Sequence, residues 1–259
     1  MYDQSSYLIA ATLFFAMVLS IEAGYRVGRR IYPKVSEPSK THVNSVQASL
    51  LGILALLIGF TFSLSLQRFD SRSQAVVEEA NAIGTAYLRA QLLPASVREK
   101  VRAQLRDYLD LRVQASEVSL ADHAKRGSLL AKSAAIQDGL WQHARQAVEE
   151  DGRPVTSGLF VQSLNELIDA YGRRDAALAR HVPEVVLFLL FAAFLTTGGI
   201  VGYAAGVAGH RASFVAYVMV ALIVLLVFII IDLDRPRRGL IEVDQKSLLD
   251  LQKAIGARK

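Results

Sequence analysis

No residue between Lys40 and Arg68 carries a formal charge, with His42 counted as neutral, and the same holds from Val185 to Gly209 and from Ala212 to Ile231. Charged side chains still make up 20% of the chain, so charge is segregated rather than scarce. A hydrocarbon core about 30 Å thick is crossed by about 20 apolar helical residues, and each uncharged block is long enough. With a first apolar stretch near the N-terminus they predict four membrane helices, roughly Tyr7 to Tyr25, Val46 to Leu66, Val182 to Val207 and Ala212 to Ile231. The first is expected to stay uncleaved, because MYDQSSY holds no Lys or Arg and no A-x-A site follows. A purely soluble protein is excluded.

The remaining sequence divides around these spans. Residues 1–66 hold the first two membrane helices and a basic connecting loop (Arg26, Arg29, Arg30, Lys34, Lys40), in which Pro33 and Pro38 should break any helix. Residues 67–181 form an extramembrane region, 182–233 the third and fourth membrane helices, and 234–259 a C-terminal tail. The short turn from Ala208 to Arg211 predicts that the last two spans make an antiparallel hairpin. In the extramembrane region apolar residues recur at helical spacing. Phe69, Val76, Ala80, Ile83 and Tyr87 form one stripe. Pro94 ends that helix, and Val97, Val101, Leu105 and Tyr108 form the next stripe. Leu130, Ala134, Leu140, Ala144 and Val148 form a weaker third, and after the turn Asp151–Pro154 come Phe160, Leu164, Leu167, Tyr171 and Leu178. The expected fold class is therefore all-α, with three or four amphipathic helices packed outside the bilayer.

Composition narrows the function classes. Cys is absent, which excludes disulfide scaffolds, thiolate metal sites and Cys nucleophiles. The five His residues are scattered, and no metal site or cofactor is expected. Glu78 and Glu79 are adjacent and so point about 100° apart on a helix. No Ser-His-Asp grouping, HExxH or phosphate loop accompanies them, so the chain is not expected to be an enzyme. Charge pairing or subunit contact is the default role for Glu79. The net charge of +5 is read as topology and contact with lipid rather than nucleic acid.

Three groups of residues stand out. Gly52, Leu56, Phe60 and Ser63 share one face of the second span; repeated around an axis, Leu56 and Phe60 would form apolar rings that gate by dewetting. Ordinary packing against lipid or another helix fits the same pattern. Gly198, Gly202 and Gly206, four apart, make a small-residue face for close helix packing. After the fourth span, Asp232, Asp234 and Arg235 lie in the run DLDRPRRG, and with Arg68 and Asp70 they suggest a charge network at the membrane surface. Positive charge flanks both membrane faces, so the positive-inside rule does not fix the orientation.

The words GFTFS, RFD, EANAIGTAYLRA and LP between Gly59 and Pro94, with DLDRPRRG from Asp232 to Gly239, resemble a bacterial membrane-protein family labelled bestrophin-like. The order of elements agrees over nearly the whole chain. More distantly the chain is similar to the bestrophin anion channels. Gly59-Phe60 followed by Arg68 looks like their pore-helix segment, and Arg102 to Tyr108 and Gln162 to Leu167 resemble their neighbouring helices. In bestrophins three apolar residues spaced four apart form a narrow pore neck. The resemblance places two of these at Leu56 and Phe60, whereas the third position holds Gly52, which would widen the neck, and Ile53 stands where bestrophins have a pore proline. The acidic run of their calcium clasp is reduced to Asp232, Asp234, Glu242 and Asp244, so no calcium gating is expected.

The resemblance implies a homo-oligomeric ion channel, a pentamer passing small inorganic anions across the bacterial inner membrane, with the helical region and both termini cytoplasmic. A membrane-anchored helical scaffold or sensor that binds a partner protein is the alternative. A continuous axial path lined by the second span separates the two.

Overall fold

A computed structural model describes residues 5–31, 36–118, 122–235 and 240–257. The described residues contain no β-strand. Among the described residues eight α-helices follow one another: α1 (Ser6–Ile31), α2 (Glu37–Arg89), α3 (Ala95–Glu117), α4 (His123–Glu150), α5 (Leu159–Ala179), α6 (Glu184–Val207), α7 (Phe214–Asp234) and α8 (Lys246–Gly256). A 3₁₀ turn (Ala90–Leu92) precedes α3, and a π turn (Pro154–Gly158) precedes α5. The chain is all-α. Among the described residues four helices are long and apolar enough to cross a bilayer, and they carry the four expected spans within α1, α2, α6 and α7.

The structure divides into two compact units. One comprises Met1–Gln67 and His181–Arg235, and the other Arg68–Arg180 and Pro236–Lys259. In the first unit α1 and α6 run parallel, joined through their glycines. A Cβ on Gly202 would stand 1.9 Å from the Ile21 carbonyl oxygen, one on Gly206 2.4 Å from that of Tyr25, and one on Gly24 1.9 Å from that of Gly199. Only hydrogen side chains let the two backbones touch, and such contact holds helices together in lipid, where apolar burial gives no advantage. Ser20 Oγ adds a hydrogen bond to the Leu195 carbonyl at 2.6 Å.

The link after α6 turns on Gly209, whose φ of 86° lies in the left-handed region. His210 N donates to Ala205 O and Gly209 N to Gly206 O, the paired bonds that end a helix at a glycine. The turn lies where the sequence puts it, but the expected hairpin packing is modified. Both α6 and α7 lie chiefly against α1 rather than against each other, because the glycine face of α6 is taken by the α1 backbone. Met17, Ile21, Leu54, Leu190, Phe194, Val220 and Val227 fill the shared core.

The second unit is built on the predicted stripes. Val76, Ala80, Ile83, Tyr87, Val97, Val101, Leu105, Tyr108, Phe160, Leu164 and Leu167 are all buried in one core, with Phe69 packed against it. The third stripe needs correction. Leu140 and Ala144 are buried as expected, but Val148 is 43% exposed and Ala147 is buried in its place. Likewise Ser133 is buried and Ala134 is exposed. Ser133 Oγ donates to the Leu129 carbonyl at 2.9 Å, so a hydroxyl satisfied by its own helix occupies a core position that hydropathy assigns to its neighbour.

Two further expectations change. The basic residues Arg26, Arg29 and Arg30 belong to α1 rather than to a loop. Pro38 sits in the first turn of α2, where its missing N–H is not needed. Lys34 and Pro33 lie outside the described residues. The C-terminal segment carries α8, to which the sequence reading assigned no element; Val243, Leu248 and Ile255 enter the core of the second unit.

Candidate pore face and ion clusters

The membrane part of α2 has two unlike faces. Leu54 and Thr61 are 2% exposed and Ser65 is fully buried, while Leu57 and Ile58 pack against the unit's core. Thr61 Oγ1 donates to the Leu57 carbonyl at 2.7 Å, which satisfies the hydroxyl within the helix. On the other face Gly52 and Ser63 are exposed, with Leu56 at 58% and Phe60 at 62%. A Cβ on Gly52 or Gly59 would meet nothing within 4 Å. Beside this face an apolar groove of about 460 Å³ is lined by α2 residues such as Leu51, Ala55 and Phe62 and by Met219, Ile223 and Leu226 of α7. Gly52, Leu56, Phe60 and Ser63 thus share a surface that the described residues leave uncovered.

The charged candidates fall in both units. Asp232, Asp234 and Arg235 are buried at the end of α7. Both Asp234 oxygens accept from Val182 N, at 3.0 and 3.1 Å, and His181 Nδ1 lies 3.0 Å from the Asp234 carbonyl. Arg235 Nη1 donates to Ser6 Oγ at 3.2 Å. The end of α7 is therefore tied to the starts of α6 and α1. Arg68 and Asp70 belong to the other unit, where Arg68 is half-buried and Asp70 exposed. Arg237 and Arg238 lie outside the described residues.

The second unit holds a cluster of which the sequence showed only one member. Glu79 is fully buried. Arg112 Nε donates to its Oε1 at 2.6 Å, and Arg174 Nη1 donates to Oε2. Arg174 Nη2 in turn donates to Gln245 Oε1 at 2.7 Å, and the Arg112 guanidinium lies 4.7 Å from the centre of the Tyr171 ring. Burial opposes the charge on Arg112, but the adjacent Glu79 carboxylate together with Tyr108 and Tyr171 outweighs it and holds the Arg112 pKa above its ordinary value. Burial, followed by the Glu79 charge, pushes the Tyr108 phenol well above its usual range. One carboxylate between two guanidiniums clamps α2, α3, α5 and the segment leading into α8. Among the described residues no group of His, Asp and Glu is placed to hold a metal.

The family model of the bestrophin-like domain matches residues 12–248. The chain belongs to the bestrophin-like family. Two solved structures share the fold of this bestrophin-like chain. One is a variant of a bacterial bestrophin homologue from Klebsiella pneumoniae, at 17% identity and a TM-score of 0.65, with 93% of this chain and 99% of that one covered. The other is described as a membrane protein with a single substitution, also at 17% identity and a TM-score of 0.65, with 93% and 98% covered. No curated protein matches the bestrophin-like chain.

Proposed function

We propose that the protein is one subunit of a homo-oligomeric ion channel that passes small anions across the bacterial inner membrane. The α2 helices line the path, and Leu56 and Phe60 form its constriction. The observation that carries this reading is the two-faced α2: its inner face is packed, while the Gly52, Leu56, Phe60 and Ser63 face is left uncovered. A lone helix in lipid needs no such division, because lipid tails accept apolar side chains all round. A ring of copies gives the bare face a place, with apolar side chains on the axis that hold the path dry when closed. By likeness to bestrophins the ring has five members, and the second unit and both termini are cytoplasmic.

The test is anion flux in reconstituted vesicles at matched protein density. Phe60→Ala removes a large apolar side chain from every subunit and is expected to raise flux. Leu56→Ala acts in the same direction, less strongly. Leu57→Ala, on the packed face, is expected to cost about 1 to 3 kcal/mol of stability without opening a path. If wild type and Phe60→Ala are both silent while the protein stays a folded oligomer, the channel reading gives way to a membrane-anchored scaffold.

A further inference from the structure

In the second unit two arginines meet at a single oxygen. α2 and α3 run antiparallel there, with Glu79 opposite Arg112 and Tyr87 opposite Arg102 and Arg106. Arg102 Nη2 donates to the Tyr87 hydroxyl oxygen at 3.0 Å, and Arg106 Nη1 donates to the same atom at 3.2 Å. The Arg102 guanidinium also lies 5.1 Å from the centre of the Tyr87 ring. Arg102 meets Glu99 at 3.0 Å, a carboxylate largely open to solvent. Arg106 makes no other hydrogen bond and no ion pair with a described residue. Asp110, one turn on, is engaged by Gln252 at 2.7 Å, and Asp107 is exposed. Like charges four apart on a helix repel, and no carboxylate stands between these two. The Tyr87 hydroxyl accepts twice but donates to no described acceptor, although a hydroxyl offers a donor as well as two lone pairs. Donors are in excess: apart from the solvent-facing Glu99, the cluster's acceptor is the one phenol oxygen, which is already filled.

α8 ends beside this cluster. A Cβ on Gly84 would stand 3.2 Å from Leu251 Cδ1, and Gln252 bonds to Asp110, so α8 lies over the seam between α2 and α3. Tyr87 and Arg106 lie about one helical turn further along that seam, toward the last turn of α8. A groove of about 310 Å³ runs between α2 and α8, lined by residues that include Asn81, Thr85, Tyr87, Leu251 and Ile255. That volume is at the low end of the range for small-ligand clefts. Tyr87 is common to the groove and the cluster. A phosphate group supplies the acceptors that are lacking, and guanidinium suits it by its fork of donors. We propose that Arg102, Arg106 and Tyr87 form a binding site for phosphate, as the free ion or as a small soluble ester whose body lies in the adjoining groove. The two arginines turn their unspent N–H groups, and Tyr87 its O–H, to the phosphate oxygens. The site stands whether or not the protein conducts.

Calorimetric titration of the full-length protein in dodecyl maltoside with sodium phosphate, and separately with glycerol 3-phosphate, tests it. Saturable binding is expected, and equimolar chloride is expected not to displace the ligand. A hydrogen bond to a charged group is worth roughly a tenfold factor or more in affinity, so Arg106→Gln is expected to weaken binding about 10-fold and Arg102→Gln/Arg106→Gln roughly 100-fold. Tyr87→Phe removes the O–H donor and is expected to weaken it by a smaller factor. Arg106→Lys keeps the charge without the fork and is expected to fall between wild type and Arg106→Gln. If the double variant does not fold, Arg106→Gln carries the test, since its side chain makes a single described hydrogen bond. Arg145→Gln, at an exposed position on α4, is expected to change nothing. Tighter binding of glycerol 3-phosphate supports the site and identifies an ester seated in the groove; tighter binding of inorganic phosphate supports it and identifies the free ion. The proposal is overturned if neither compound binds, if equimolar chloride displaces them, or if Arg106→Gln and Tyr87→Phe bind as the wild type does. The last result would leave the arginines as a structural tie between α2 and α3.

Discussion

At the scale of single residues, Glu79 has the most at stake. Its carboxylate is the counter-charge of two buried guanidiniums, and removing one partner of a buried pair leaves uncompensated charge that costs about 3–5 kcal/mol. Glu79→Gln is expected to lower stability by that order, read from chemical denaturation of the detergent-solubilised protein. Glu78→Gln, one residue earlier, acts as the control: its partner Arg173 is more than half exposed, and such pairs are worth little. A loss as large at Glu78 as at Glu79 would contradict the clamp. The sequence carries a trace of this cluster. Glu79 lies on the same side as Val76 and Ile83, three residues after one and four before the other, on a face that is otherwise apolar, so it needs a partner. The partner's identity is not legible, because Arg112 and Arg174 lie 33 and 95 residues away, and only the packed fold brings them together.

At the scale of elements, the contact of α1 with α6 depends on backbone rather than side chains. Gly202→Ala would drive a Cβ to 1.9 Å from the Ile21 carbonyl, whereas the nearest atom at Gly198 is the mobile Met17 sulfur at 2.6 Å. Gly202→Ala is therefore expected to cost about 1–3 kcal/mol through forced separation of the helices, and Gly198→Ala less. Gly52→Ala meets nothing in the subunit and is expected to leave its folding intact. Thermal unfolding of the three variants checks the order; a Gly52 loss equal to that of Gly202 would refute it. The glycine spacing on α6 was visible in the sequence. Its counterpart on α1 is not: Gly24 and Gly28 flank Tyr25, Arg26 and Val27, and the basic residues there have the composition of a loop although the helix continues to Ile31. The same limit applies to α8, whose apolar face of Leu248, Leu251 and Ile255 is too short a run to stand out until its core partners are known.

At the scale of the whole molecule, the proposed topology turns on which side of the membrane the helices of the second unit face. Counting positive residues does not decide it, since α1 ends in Arg29 and Arg30 while Arg68, Arg173 and Arg180 flank the second and third spans on the opposite side. The topology proposed above has the helical region in the cytoplasm, and labelling can test this cleanly because the chain has no cysteine of its own. Ser128, near the start of α4, and Ser213, just before α7, are both exposed. One membrane-crossing helix, α6, separates them in the chain, so they must lie on opposite sides of the bilayer. Each is introduced singly as Ser128→Cys or Ser213→Cys and treated in intact cells with a membrane-impermeant thiol reagent. The expected pattern is reaction at position 213 and protection at position 128, with position 128 reacting once the membrane is permeabilised. The reverse pattern would place the helical unit outside, so that whatever the helices bind or sense would be extracellular. Reaction at both positions in intact cells would show two orientations in one membrane and would defeat the single assignment.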